Sequence, residues 1–195
     1  MTGHRHPSLT AETTRIATQV VATFEDLHHH ALPWGMLPPS THCIGLPDPS
    51  ALTDLGVDRD DHAISVHALD VPPLDGDDLP TYLLTYAQAL RETLRATPPG
   101  GSGPLDALEG LTVGLLTTAE RFKIDGTGSV RQRTTTAVLA NGTAVHIVRT
   151  QDQPHVSRAI GHITVPGPRM AHALWLLGHA LDIFPATAPP PTAHP

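Results

Sequence analysis

Residues 129–151 read SVRQRTTTAVLANGTAVHIVRTQ, and the predicted fold is built outward from this stretch. Two runs of strand-forming residues flank the dipeptide Asn141-Gly142, which favours a type I′ turn because both central residues of that turn need positive φ. The stretch therefore predicts a β-hairpin in which Thr136 faces Ile147. A slip of one residue would exchange the two faces of a strand, so the turn and the apolar pattern specify the same register.

The predicted register gives the hairpin one apolar face and one polar face. The apolar face carries Val138, Thr136, Val145 and Ile147. The opposite face carries Arg131, Arg133, Thr135, His146 and Val148. We take Arg131, Arg133 and His146 as candidate contacts for a partner, because arginines gathered on one face can recognise an anionic surface.

Length and charge restrict the class of protein. At 195 residues the chain is long enough for one domain with its own core. The formal net charge of −7 argues against general binding to nucleic acid or to anionic membranes, since both require a basic surface. We therefore expect neither a nucleic acid nor a membrane as a partner.

Cysteine usage and hydropathy indicate the compartment. Cys43 is the only cysteine, which excludes an intrachain disulfide and a cysteine-based zinc finger. The first residues lack the apolar core of a signal peptide, and no run approaches the roughly 20 apolar residues that cross a bilayer. These patterns predict a cytoplasmic protein.

The spacing of apolar residues predicts three amphipathic helices, at residues 11–30, 79–96 and 170–183. Thr10 is the expected N-cap of the first helix. The apolar stripe of that helix consists of Ile16, Ala17, Val20, Val21, Phe24 and Leu27. Strand patterns occur in the hairpin and at residues 42–46, 63–69 and 111–118. Residues 155–165 are compatible with a packed loop or with a short strand.

These elements follow the order α-ββ-α-βββ-α, which predicts a two-layer α+β fold. We expect a mainly antiparallel sheet of about five strands, with the amphipathic helices packed on one face. Residues 10–184 would form this single domain. Residues 1–9 are expected to be disordered, as is the Pro- and Ala-rich tail at 185–195.

The order of the elements resembles that of the small acidic chaperones that escort secreted effectors. The resemblance rests on this order alone, since the chain shares no sequence motif with them. The order is also similar to that in small α+β immunity proteins. Both resemblances imply a domain that acts by binding another protein.

The 14 histidines invite the hypothesis of a metal site. His28, His29 and His30 are consecutive, however, and consecutive helical residues point about 100° apart, so the three cannot converge on one ion. The Asp-rich runs between residues 58 and 78 do not match an EF-hand loop. The sequence contains no nucleophile elbow and no phosphate-binding motif. We therefore expect no metal and no cofactor.

The third predicted helix offers a second candidate surface. Trp175 lies on the side opposite the apolar stripe, and His172 and His179, seven residues apart, share its face. An exposed Trp ring leaves much apolar area in water and often anchors an interface. We predict that these three residues bind a partner, with a homodimer as the simplest form. The alternative is that the irregular segment at 33–62 covers the ring within one chain.

Charge is unevenly distributed along the chain. Residues 48–78 contain nine Asp and one Arg, a net charge of −8. Residues 120–158 contain six basic and three acidic residues, a net charge of +3. This separation is consistent with ordinary internal pairing, with recognition of an anionic partner by the hairpin, or with self-association of the two regions.

These observations favour a non-enzymatic cytoplasmic domain that binds another protein, as an adaptor, a chaperone-like protein or an immunity-like protein. The alternative is an enzyme or a small-molecule-binding protein with a pocket between sheet and helices. His67, His146 and the hairpin arginines would then be the first site candidates.

Overall fold

The computed structural model describes six segments of the chain: residues 9–46, 65–69, 78–96, 111–125, 128–162 and 168–184. Residues 1–8, the predicted disordered tail and most of the acidic segment lie outside the described residues. Leu9, which was predicted to be disordered, instead packs half-buried against the core.

The described segments form three helices and six strands. The helices are α1 (Ala11–Ala31), α2 (Leu79–Ala96) and α3 (Pro168–Ala180). The strands are β1 (Ser40–Leu46), β2 (Ser65–Leu69), β3 (Leu111–Asp125), β4 (Gly128–Leu139), β5 (Thr143–Thr150) and β6 (Val156–His162). None of these helices is both long and apolar enough to span a membrane.

All six strands form one antiparallel sheet in the order β2-β1-β3-β4-β5-β6. The predicted α+β class, element order and antiparallel pairing are confirmed. The sheet has one strand more than expected because the segment that the sequence left open between loop and strand forms β6, which pairs with β5.

Helices cover both faces of the sheet. On the face that we call the α1 face, α1 packs over a buried cluster of Ala17, Val21, Ile44, Val113, Leu116, Ala137, Leu139, Val145 and Ile147. On the opposite α2/α3 face, α2 and α3 pack over strand residues that include Cys43, Leu115, Val138, Ala140 and Ala144. The helices are divided between two faces, rather than sharing one, because the central strands carry apolar side chains on both sides.

The turn of the central hairpin differs from the predicted type I′ turn. Three residues, 140–142, connect β4 to β5, and the N–H of Gly142 donates to the C=O of Leu139 at 2.9 Å. Gly142 has a φ of 81°, whereas Asn141 does not have positive φ. This geometry is that of a type I turn followed by a residue in the left-handed region, a position that suits glycine.

The longer turn shifts the hairpin register by one residue from the prediction. Thr136 faces His146, and Arg133 faces Arg149. Since residues that face each other across a strand pair project to the same side, His146 lies on the α2/α3 face. Arg131 and Arg133 lie on the α1 face, so the predicted polar face that combined the three residues does not form.

The buried side of α1 also differs from the predicted stripe. Thr10 caps the helix as expected, with its side-chain oxygen accepting the N–H of Thr13 at 3.1 Å. Leu27, however, is 64% exposed, while Glu25 is buried. The helix turns Glu25 toward the sheet because Arg149 of β5 binds its carboxylate, with Nε and Oε1 2.6 Å apart.

Candidate functional site

The β3–β4 hairpin extends beyond the rest of the sheet and forms the hairpin arm, which we define as residues 119–125 and 128–131. Pairing of β3 with β1 ends at Thr118, and pairing of β4 with β5 ends at Gln132. The two strands of the arm stay paired with each other along their whole length. The arm is therefore a two-stranded ribbon that continues past the neighbouring strands.

An ionic cluster holds the base of the hairpin arm on the α1 face. Glu120 accepts a hydrogen bond from Arg131 through Oε1 and another from Arg133 through Oε2, each at 3.1 Å. Its Oε1 also accepts the backbone N–H of Gly35 at 2.6 Å. The side chains of Glu120 and Arg133 are buried, so each charge depends on its partner for stabilisation.

Arg133 also fixes the end of α1. Its Nη1 donates to the C=O of His29 at 3.2 Å and its Nη2 to the C=O of Pro33 at 2.5 Å. These bonds satisfy carbonyls at the C-terminal end of the helix and in the following loop. The guanidinium also lies over the ring of Trp34, 4.6 Å from its centre. Arg133, predicted as a partner contact, is therefore buried in a structural role.

The α1 face of the hairpin arm presents two large apolar side chains to solvent. Phe122 is 62% exposed and Ile124 is 83% exposed. They share a face because they are two residues apart on one strand. Arg131 is opposite Phe122 in the register, with its guanidinium carbon 4.8 Å from the ring centre. Arg131, also predicted as a partner contact, thus lies at the surface beside exposed apolar area.

The opposite face of the arm carries positive charge. Arg121 and Lys123 are exposed and alternate along β3 with Phe122 and Ile124. Asp125, the last residue of β3, is the acidic residue in the segment 121–125. The arm segment of β3 therefore has an apolar face and a largely cationic face.

His146, the third predicted hairpin contact, forms a buried pair with Thr136. Oγ1 of Thr136 and Nδ1 of His146 are 2.8 Å apart on the α2/α3 face. Burial lowers the pKa of His146, and the charge of Arg121 lowers it further. A neutral imidazole beside a hydroxyl resembles a base and a nucleophile, but both side chains are buried within the fold. The pair joins β4 to β5 and does not offer a surface.

Trp175 lies between His172 and His179 on α3, as the sequence predicts. The centre of the Trp175 ring lies 6.3 Å from that of His172 and 3.9 Å from that of His179. The Trp175 ring is half-buried and packs against the core of the α2/α3 face. The neighbouring Ala171 and Gly178 are buried, so a second backbone cannot approach α3 closely there. The three predicted residues are together, but the prediction that Trp175 lies away from the core is wrong, because its half-buried ring packs at the margin of the core.

A second group of histidines joins α1 to β1. The rings of His28 and His42 have centres 6.2 Å apart, and the ring of Phe24 contacts both. Burial lowers the pKa of His42 to about 4. Burial also lowers the pKa of His28, and the charge of Arg133 adds to that effect. Across the segments that the structure describes, no three metal-ligating side chains come together.

A groove lies between α1 and the strands β5 and β6, on the α1 face. Its volume is about 230 Å³. Val145 and Ile147 contribute apolar surface, and Arg15 and Arg158 contribute cationic groups. Arg15 is engaged by Glu12 through an ion pair of 2.6 Å. The groove could hold a small ligand with an apolar part and an anionic group.

Phe122 and Ile124 were not predicted as site residues, because the apolar pattern of the third strand indicated an end at residue 118, whereas β3 continues to Asp125. The signal is nevertheless present, since residues 121–125 read RFKID and alternate charged and apolar side chains with the period of a strand. Neither a family model, nor a curated protein, nor a solved structure matches this chain, so the site rests on geometry.

Proposed function

We propose that this protein is a non-enzymatic domain that binds another protein, and that the hairpin arm is its contact surface. The observation that carries the proposal is the exposure of Phe122 and Ile124 side by side, next to Arg131. Adjoining exposed apolar side chains often mark interaction sites, and aromatic residues and arginines are enriched at interfaces.

The support beneath the arm favours the same function. Glu120 ties the arm to Arg133, and Arg133 ties it to the end of α1. Such a base holds the exposed side chains in one arrangement before a partner arrives. A preorganised surface loses less conformational entropy on binding, and this increases affinity.

The second candidate function is binding of a small molecule in the groove beside α1. The observation that favours it is the combination of apolar lining with Arg158. The groove measures about 230 Å³, which is below the usual ligand-pocket range of about 300–1,000 Å³. We rank this function second for that reason. His67, a further candidate of the enzyme hypothesis, has a side chain outside the described part of the chain.

We also propose a cytoplasmic location. Cys43 is a free thiol in the core, with a pKa that burial raises to about 12. A reducing compartment keeps a single cysteine in this form. Cell fractionation tests the location, and sedimentation of the purified protein tests the homodimer that the sequence predicts.

Affinity capture from native lysate, followed by mass spectrometry, tests the proposed function. The wild type is compared with the double variant Phe122→Ser/Ile124→Ser. We expect at least one protein to be captured by the wild type and lost with the double variant. The captured protein is then purified and its direct binding measured.

The matched control is Leu27→Ser, because Leu27 is a similarly exposed apolar residue that belongs to α1 and not to the arm. We expect this variant to capture the same protein as the wild type. Capture that is equal for all three proteins, with unchanged circular dichroism, would show that the arm is not the contact surface.

A further inference from the structure

Strand β3 has an unpaired edge along the hairpin arm, within the part of the chain that the structure describes. β1 pairs with β3 only as far as Ser40 and Thr118. Pro38 and Pro39 immediately precede this point, and proline has no N–H to contribute to a strand ladder. Residues 119–125 therefore extend beyond the start of β1 with no strand of the described segments beside them.

The backbone of the arm directs hydrogen-bonding groups to this edge. The N–H of Ala140 donates to the C=O of Val113 at 2.9 Å, and the β3–β4 register continues from there without a shift. Hydrogen-bonded and non-hydrogen-bonded residues alternate in an antiparallel pair. Odd-numbered residues of β3 thus bond to β4, while the N–H and C=O of Phe122 and Ile124 point outward.

The side chains define what an added strand must carry. A strand that pairs with this edge places its own side chains opposite those of β3 on each face. Acidic residues are favoured opposite Arg121 and Lys123, and apolar residues are favoured opposite Phe122 and Ile124. The two requirements alternate along the strand.

We propose that the hairpin arm binds its partner by strand addition at the free edge of β3, and that the added segment alternates acidic and apolar residues. This inference rests on the proposed function and names its class of partner. Main-chain hydrogen bonds would supply the affinity, and the alternating side chains would supply the specificity.

A second copy of this chain fits the edge poorly. Two-fold antiparallel pairing that joins at least five of the seven residues 119–125 of each arm is centred on Arg121, Phe122 or Lys123. Each of these registers places cationic side chains of the two copies opposite each other, since Arg121 meets Arg121, or Arg121 meets Lys123, or Lys123 meets Lys123. Like charges directly opposite destabilise a strand pair, so an acidic partner is preferred over self-association.

The test uses a synthetic octapeptide of alternating glutamate and valine as the probe, with amide hydrogen exchange followed by NMR. In the free protein we expect the amides of Phe122 and Ile124 to exchange rapidly. On saturation with the probe they should become protected. The amides of Arg121 and Lys123 bond to β4, so they should be protected in both states and serve as internal references.

Two controls separate strand addition from simple charge attraction. A peptide with the same residues in two blocks, four glutamates then four valines, should bind at least about tenfold more weakly, as should the double variant Arg121→Glu/Lys123→Glu with the alternating probe. The matched variant Arg91→Glu changes an exposed arginine of α2, and it should bind the probe like the wild type.

Equal binding of both peptides, or probe binding without protection of Phe122 and Ile124, would overturn the inference. Protection of these amides in the free monomer would also overturn it, because the chain would then cover its own edge. Protection that depends on protein concentration would assign the edge to a second copy. If one of these results is found while capture still requires Phe122 and Ile124, strand addition fails and the proposed function stands.

Discussion

Glu120 and Arg133 face each other across the β3–β4 pair, and Oε2 of Glu120 accepts the Nε–H of Arg133 at 3.1 Å. Their side chains are 8% and 3% exposed. Arg133 also holds two backbone carbonyls near the end of α1. The base of the hairpin arm and the position of α1 therefore depend on the same buried ion pair.

Replacing Glu120 with Ala should destabilise the protein strongly. The change leaves Arg133 buried without its counter-charge and removes a partner of Arg131. Breaking a buried pair in this way costs about 3–5 kcal/mol. Denaturant unfolding measures the loss. The control is Glu92→Ala on the exposed side of α2, for which we expect a change within about 0.5 kcal/mol. A loss below about 1 kcal/mol for Glu120→Ala would contradict a buried, coupled pair.

Gly142→Ala should lower the free energy of unfolding by about 1–2 kcal/mol, because alanine is strained in the left-handed region. Gly142 has a φ of 81°, whereas Asn141 does not have positive φ. A residue with a side chain is therefore expected to be strained at position 142 and not at position 141. The control is Gly161→Ala in β6, where an added Cβ meets no atom within 4 Å. Equal unfolding midpoints for the two variants would be inconsistent with the observed turn.

Gly178→Ala tests the end of α3. A Cβ at this position would overlap the ring of Phe184. The N–H of Ile183 donates to the C=O of Gly178 at 2.8 Å, and this bond helps to hold the ring in place. We expect a loss of about 1–3 kcal/mol from overpacking. Adding Phe184→Leu should make the double variant more stable than the sum of the two single losses implies. Strict additivity would mean that the two positions do not interact.

Stability should fall as the pH is lowered from about 7.5 to about 4.5, and His42 should contribute to the fall. The pKa of His42 is about 4 in the folded protein, against about 6.5 in an unfolded chain. Between these values the unfolded state binds a proton that the folded state does not, so acid favours unfolding. After allowance for the partial exposure of the ring, the effect is on the order of 1–2 kcal/mol.

Urea midpoints at the two pH values measure this fall in the wild type and in His42→Leu. The variant should lose less stability on acidification, although His28 and His146, whose pKa values are also lowered, keep part of the dependence. Leu27→Ser, an exposed change on α1 that leaves every histidine in place, serves as the control and should show the pH dependence of the wild type. Identical pH dependence in His42→Leu and the wild type would show that His42 titrates normally.

Local sequence signals predicted the first two helices closely. Thr10 caps α1, and α1 ends at Ala31 where the sequence predicted residue 30. The bounds of α2 match the prediction at both ends. The period of apolar residues and the capping side chain act within a few residues of each other, so these features can be read without knowledge of the fold.

The details of the candidate site depended on more distant relationships. Asn141-Gly142 is compatible with loops of different length, and the observed three-residue loop moved His146 away from the arginines. Phe122 and Ile124 belong to the part of β3 that extends beyond the end of its pairing with β1. The length of this extension depends on how the strands of the sheet are aligned and cannot be read from one segment. Their functional interest comes from their exposure, which depends on what packs nearby.

By itself, the sequence determined the order of helices and strands, the antiparallel hairpin and the α+β class, because periodicity, caps and turn residues act locally. The tertiary structure decided which charges are buried and which side chains remain exposed. Glu25 is buried because Arg149, 124 residues away, binds it. Arg133 is buried because Glu120 and the end of α1 surround it. Such pairings arise only when distant segments meet, since each buried charge needs a partner that folding brings to it.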